Sequence, residues 1–232
     1  MSHHVAVLIS GAGSNLKALI EAQQAGQLAV EFSVVLSNRA NALGLKHAAA
    51  AGIPTVVLDH NRYPDRESFD AAMVAALQPY AIDTVVLAGF MRILTPVFVE
   101  QFAGRLLNIH PSLLPLYRGL HTHRRALENN DQEHGCSIHF VSNVLDGGPI
   151  VAQALVPVLP GDDEDTLAQR VQTAEHLLYP QVLQWRALGQ LALTDKGVLL
   201  DGNLLTAQGR QFAIAEGSHS LLALGGAHGQ PS

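Results

Sequence analysis

The stretch "VAVLISGAGSNLKALIEAQQAG" (residues 5–26) passes from an unbroken apolar run, through a glycine turn, into a segment with helical apolar spacing. Apolar runs without polar alternation suit strands covered on both faces of a parallel sheet. Three more follow within the first ninety residues: "FSVVLSN" (32–38), "PTVVLD" (54–59) and "TVVLAGF" (84–90). Helix-like segments separate them. "SNLKALIEAQQAG" (14–26) opens on Ser14 as a cap and stops at Gly26, and "NALGLKHAAAAG" (41–52) and "DRESFDAAMVAALQPY" (65–80) repeat the pattern. Strand–helix alternation of this kind predicts an α/β fold with a Rossmann-like, doubly wound, mostly parallel sheet.

Beyond residue 100 the pattern changes. "RLLNIH" (105–110) reads as a fifth strand, followed by a turn-rich loop through "PSLLPLYRGLHTH" and a helix over 121–129. "CSIHFVSN" (136–143) and "PIVAQALVPV" (149–158) flank "LDGGP" (145–149) and predict an antiparallel pair, an extension of the sheet in the C-terminal half. Residues 162–189 carry acidic groups in the first turn and a helical apolar period, with a kink expected at Pro180. A small hairpin is expected over 197–205, and a flexible tail from 215 to 232. No internal repeat or linker divides the rest, so residues 1–214 are expected to form one domain.

Composition narrows the function. The net charge of −6 over 232 residues argues against nucleic acid as the main ligand. No apolar stretch is long enough to cross a membrane, and "MSHHVAVLIS" lacks the basic region and cleavage site of a secretory signal. The single cysteine, Cys136, excludes an internal disulfide framework and fits a reducing compartment. A soluble cytoplasmic protein is expected.

The first glycine turn, "SGAGSNL" (10–16), leaves free N–H groups at a helix start, an arrangement that attracts a phosphate. Leu16 stands where a dinucleotide fingerprint needs its third glycine, and no Gly-Lys-Ser/Thr follows, so a monophosphate fits better than a dinucleotide or a P-loop nucleotide. A plain tight turn explains the same residues without any ligand. Asn108 and His110 lie two apart at the end of the fifth strand, so they face the same way, at the edge where open α/β sheets bind ligands. An amide can donate to a developing oxyanion, and an imidazole can exchange a proton near neutral pH. Asp146, in the glycine-rich "LDGGP", is the carboxylate expected to orient that imidazole. The histidines show no metal-ligand motif: there is no His-Glu-x-x-His and no cysteine pair.

Taken together, "ISGAGSNL", "LAGFMRIL", "LLNIHPSLLP", "GLHTH", "HFVSNVLDGGPIVAQ" and "RVQTAEH" resemble the phosphoribosylglycinamide formyltransferases, the folate-dependent formyl transfer enzymes of purine synthesis. The likeness covers roughly residues 5–210. It implies catalytic roles for Asn108, His110 and Asp146, and a nucleotide phosphate held at Gly13, Ser14 and Asn15, with Gln172 and Glu175 on the nucleotide side. On the folate side it implicates Arg66, Met91, Arg92, Ile93 and Leu94, together with Asn108 and the loop Ser142, Asn143, Val144, Leu145 and Asp146. It further implies small-molecule substrates, glycinamide ribonucleotide and 10-formyltetrahydrofolate as co-substrate, no tightly bound cofactor, no metal, and a monomer or homodimer. Two positions depart from the family or lean towards a relative. Asn143 stands where an acidic residue is usual. Arg118 is reminiscent of methionyl-tRNA formyltransferase, although the chain is expected to lack that enzyme's tRNA domain and the regulatory domain that opens formyltetrahydrofolate deformylase. Another formyl-folate transferase or deformylase of this fold is the alternative. A nucleotide-dependent oxidoreductase and a non-catalytic, histidine-based binding module are the readings from other classes.

Overall fold

The computed structural model describes residues 2–214 and 220–224. The first half alternates as the sequence predicts: β1 (His3–Ile9), α1 (Ser14–Gln24), β2 (Val30–Ser37), α2 (Gly44–Ala50), β3 (Thr55–Val57), α3 (Arg66–Leu77) and β4 (Thr84–Leu87). A short α4 (Pro96–Gln101) leads into β5 (Leu106–His110), and α5 (Thr122–Glu128) follows the long loop. Then come β6 (Glu133–Phe140), β7 (Ile150–Pro157), α6 (Glu164–Ala187), β8 (Leu191–Thr194), β9 (Gly197–Leu200), β10 (Asn203–Leu204), β11 (Arg210–Ile214) and β12 (Leu221–Ala223).

Nine of these strands form one sheet in the order β12-β11-β7-β6-β5-β4-β1-β2-β3. The block β3-β2-β1-β4-β5 is parallel, β6 and β7 reverse direction in turn, and β11 returns parallel to β7. The strand order reverses between β1 and β4, which is where a ligand crevice opens in such sheets. The expected terminal hairpin is present as β9 and β10, enlarged by β8 into a separate three-stranded sheet. Neither α4 nor β11 is foreseen from the sequence. The tail expected over 215–232 falls largely outside the described residues, but Leu221–Ala223 within it pairs antiparallel with β11.

β1 explains its own composition. Val5, Val7 and Ile9 pack on the face covered by α1 and α6, while Ala6 and Leu8 pack with Phe69, Met73 and Phe98 on the other. All five strand residues are fully buried, which is why the run carries no polar alternation. α6 is capped by a reciprocal pair, Asp163 with Thr166, and runs unbroken through Pro180.

The turn after β1 depends on a close backbone approach. Gly13 has φ +73° and lies against Gly44 at the start of α2; a Cβ on Gly44 would stand 2.6 Å from Ile9 Cδ1 and 3.1 Å from Gly13 Cα. Gly44 N–H also donates to the Gly11 carbonyl at 3.1 Å. The Gly44→Ala variant is therefore expected to lose about 1–3 kcal/mol of stability through overpacking. Gly13→Ala should lose more, because strain at positive φ adds to the clash. Urea denaturation of both variants checks this, and an unchanged midpoint for Gly44→Ala would show that the two turns can move apart at little cost.

Candidate active site

The pleat of β5 puts Asn108 and His110 on one face, while Leu107 and Ile109 pack towards α6. Antiparallel pairing sets His139 of β6 opposite Asn108, and Ser137 opposite His110. Asn108 Nδ2 donates to His139 Nε2 at 3.1 Å, and His139 Nδ1 donates to the Phe140 carbonyl at 2.9 Å. These two bonds assign the neutral tautomer with its proton on Nδ1, and burial holds His139 below the ordinary histidine range. One N–H of the Asn108 amide is thereby occupied and the other is left for a ligand.

Asp146 sits between the two histidines. Its Oδ2 lies 3.4 Å from His110 Nδ1 and accepts the Gly119 N–H at 3.0 Å, and its Oδ1 lies 3.8 Å from His139 Nε2. The loop after β6 reaches this position because it doubles back tightly: a Cβ on Gly148 would run into the Phe140 carbonyl. On the far side of its ring, His110 Nε2 donates to the Tyr117 carbonyl at 2.9 Å. His110 and Asp146 are both nearly closed off from solvent. The structure thus joins Asn108, His110 and Asp146, and Nδ1 is the imidazole nitrogen turned towards the carboxylate.

Beside them opens a cleft with an empty volume of about 520 Å³, open solvent at its mouth included. Arg92, Ile93 and Leu94 line one wall, and residues Ser142, Asn143, Val144, Leu145 and Asp146 line another. Met91, two-thirds exposed, and Arg66, which opens α3, both lie outside the lining. Arg92 lies over the Phe69 ring at 5.9 Å.

The second cluster lies at the start of α1. Gln172 Nε2 donates to Ser14 Oγ at 3.2 Å, and Asn15 Nδ2 donates to Glu175 Oε2 at 2.9 Å. Gly13, in a left-handed conformation, ends the turn with no side chain over the helix N-terminus. Asn15 Oδ1 is buried without a protein partner, the sort of orphaned acceptor a ligand hydroxyl or amine satisfies. Burial pushes the Glu175 carboxyl up to about 7, against the opposing bond from Asn15. Residues 172 and 175 are one turn apart on α6, so one helix face meets the glycine turn.

Several participants have no sequence motif of their own. His139 is one; the alternation Cys136/Ile138/Phe140 inward and Ser137/His139 outward is its only trace in the sequence. Gly119 N–H and the Tyr117 carbonyl act through the backbone and leave no trace. Among the described residues, no group of three or more His, Cys, Asp or Glu is arranged to hold a metal ion.

A doubly wound sheet with a glycine turn at its switch point, beside a cleft whose lining includes an amide, an imidazole and a carboxylate, has the form of an enzyme site for small molecules. Residues 3–183 match the formyl transferase family, and the chain belongs to it. Phosphoribosylglycinamide formyltransferase of Escherichia coli (strain K12) is 53% identical over 206 residues, which are 89% of this chain and 97% of that protein. The enzyme of the same name from Haemophilus influenzae is 45% identical over 88% of this chain and 97% of its own. The solved structure of the Coxiella burnetii phosphoribosylglycinamide formyltransferase superposes with a TM-score of 0.88 at 46% identity, over 91% of this chain and 99% of that one.

Glu175 gives a pH signature. Its folded pKa of about 7 lies above the ordinary value of 4.5, so between these pH values the folded state keeps a proton that the unfolded chain has released. That contribution is complete below pH 4.5 and is lost as pH rises through 7. Glu175→Gln should flatten this slope, making the variant the more stable protein above pH 7 by up to about 3 kcal/mol. Urea titrations of both proteins across this window measure the difference, and parallel curves would refute the buried-acid assignment.

Proposed function

We propose that this chain transfers the formyl group of 10-formyltetrahydrofolate to the primary amine of glycinamide ribonucleotide, giving formylglycinamide ribonucleotide and tetrahydrofolate in purine biosynthesis. The observation that carries this reading is the convergence of Asn108, His110 and Asp146 beside the cleft, with Asn108 and Asp146 in its lining. The names of the relatives support the choice of substrates. In this reading the activity belongs to a single domain over residues 1–214, with a nucleotide phosphate site in its N-terminal half and the folate and catalytic site in its C-terminal half. The lone buried Cys136 fits a cytoplasmic setting.

The ribonucleotide phosphate sits on the free N–H groups that follow Gly13, with Ser14, Asn15, Gln172 and Glu175 around the nucleotide. The folate enters between the 91–94 segment and the 142–146 loop, with its formyl group towards Asn108. Holding amine and formyl carbon together supplies much of the acceleration. As the amine nitrogen attacks, the carbonyl electrons move to oxygen, and the resulting oxyanion takes a hydrogen bond from the free N–H of Asn108 and is stabilised by the nearby positive charge of protonated His110. Asp146 holds the imidazolium and accepts the proton lost by the amine. The tetrahedral adduct then collapses, the bond from the formyl carbon to N10 breaks, and that proton reaches the departing nitrogen through water. The folate is consumed as a co-substrate, and no step calls for a metal.

Purified protein supplied with 10-formyltetrahydrofolate is expected to formylate glycinamide ribonucleotide, and to use methionyl-tRNA or water as acceptor far more slowly. Comparable rates with either of the other acceptors would overturn the assignment. Asp146→Asn preserves shape, and its Oδ1 can still accept from Gly119, but it removes the charge. The turnover rate should fall by about 10²–10⁴-fold. Both Michaelis constants should change much less. A near-normal rate would remove Asp146 from the catalytic group.

A further inference from the structure

Residues 92–94 form one wall of the cleft, yet the 91–94 segment belongs to no helix or strand. Among the described residues, no backbone hydrogen bond to the rest of the protein is made by Arg92, Ile93 or Leu94. The segment is fastened instead at its two ends, by side chains outside the cleft lining. At one end the Met91 N–H donates to Ser10 Oγ at 2.8 Å, and the same hydroxyl donates to Asn38 Oδ1 at 2.7 Å. At the other end Asp70 Oδ2 accepts both the Thr95 N–H, at 2.6 Å, and the Thr95 hydroxyl, at 2.8 Å. Ser10, Asn38, Asp70 and Thr95 are all buried, Asp70 to within 1% of complete.

A carboxylate is a costly choice at position 70. Its helix neighbours Phe69 and Met73 belong to the apolar core between α3, α4 and the sheet, and burial raises the Asp70 pKa above the ordinary carboxylate range. An apolar side chain there would bury more surface without a desolvation penalty. What it could not do is fix the direction of the Thr95 amide. Ser10 has a matching geometry: it follows β1 directly, its own N–H donates to the Gly89 carbonyl at 3.2 Å, and the glycine turn begins at the next residue. One hydroxyl therefore ties the folate-side wall to the strand that carries the nucleotide turn.

We propose that Ser10 and Asp70 are positioning residues for the formyl donor, a two-ended clamp that fixes the 91–94 segment as a preformed wall. The inference rests on the reading of this cleft as the folate site. A wall anchored only at its ends by directional bonds should hold its shape before the ligand arrives, so that little ordering cost falls on binding.

Steady-state kinetics with each substrate varied in turn tests the clamp. Ser10→Ala and Asp70→Ala should each raise KM for the formyl donor about tenfold, the scale of one lost buried hydrogen bond. KM for the ribonucleotide should stay within about twofold. Asp70→Asn keeps an oxygen for the Thr95 N–H and should recover most of the loss, which a general packing defect at position 70 would not show. Should Asp70→Ala fail to fold, Thr95→Val, which removes only the hydroxyl bond, takes its place beside Ser10→Ala. Equal movement of both Michaelis constants, or lowered thermal stability with neither constant moved, would overturn the clamp. Ile93→Asp, on the wall itself, separates the two levels of the argument. If it leaves the donor KM unchanged, the folate reading of the cleft fails and the clamp with it. If it raises that KM while the Ser10 and Asp70 variants do not, the clamp alone is wrong.

Discussion

The site depends on the register of the antiparallel pair β5–β6. With Asn108 opposite His139 and His110 opposite Ser137, the pleat sends all four polar side chains to one face of the sheet. On the other face Leu107, Ile109, Cys136, Ile138 and Phe140 join the core against α6. A slip of one residue by β5 would drive an amide and an imidazole into that apolar layer, and a slip by β6 an imidazole and a hydroxyl, where nothing could satisfy them. Burial of the α6 side therefore fixes the register, and the register composes the polar face of the candidate site. Apolar packing on one side of the sheet specifies chemistry on the other.

A polar face of this kind cannot be covered by an ordinary amphipathic helix, and it is covered by the loop that follows β5. Ser137 Oγ accepts the Leu114 N–H and donates to the Ser112 carbonyl, while Gln153 Nε2 donates to the Leu114 carbonyl and to Ser137 Oγ. The loop then turns at Tyr117, a non-glycine residue with φ 53°. Its side chain is held on two sides: the hydroxyl donates to Asp131 Oδ2 at 2.6 Å, and Arg125 lies over the ring at 5.0 Å. The Tyr117 carbonyl meets His110 from this fixed position, and two residues later the Gly119 N–H meets Asp146. His134, beneath the same loop, is pushed down to about 4 by burial, so it stands neutral beside Tyr117 and His123. The loop that closes the polar face also holds both His110 and Asp146 in place.

This division explains what could be read from the sequence. The strands β1 to β5 and the first glycine turn announce themselves through continuous apolar runs and local turn chemistry, signals that lie within a few residues of one another. Asn108, His110 and Asp146 were legible as candidates because each sits beside such a signal, a strand end or a glycine-rich turn. Their mutual distances were not, because these follow from a cross-strand register between segments about thirty residues apart. His139 is the clearest case. Its alternation with buried Cys136, Ile138 and Phe140 marks an outward-facing residue, but only pairing with β5 shows that it faces Asn108. β11 escaped for a similar reason: its five residues resemble any short exposed strand until β7 offers them an edge. Ser10 and Asp70 look like ordinary strand-end and helix residues, and only the partners they meet give them a role.

In the proposed function the two substrate subsites need a fixed separation, and α6 offers one. Glu175 reaches the glycine turn through Asn15, and one turn further on the fully buried Tyr179 directs its hydroxyl at the carbonyls of Leu87 and Leu107, at 2.9 and 3.1 Å. Those carbonyls belong to β4 and β5, the second immediately before Asn108. A helix residue four places from another lies on the same face, about 6 Å along the axis. The glycine turn and β5 are therefore pinned to neighbouring points of one helix. Formyl transfer needs an amine and an acyl carbon brought to within bonding reach, and a misplacement of about 1 Å can cost about 10²-fold in rate. Loops alone would leave that distance to thermal motion. A helix anchored by two polar side chains in its buried face sets it during folding, before either substrate binds.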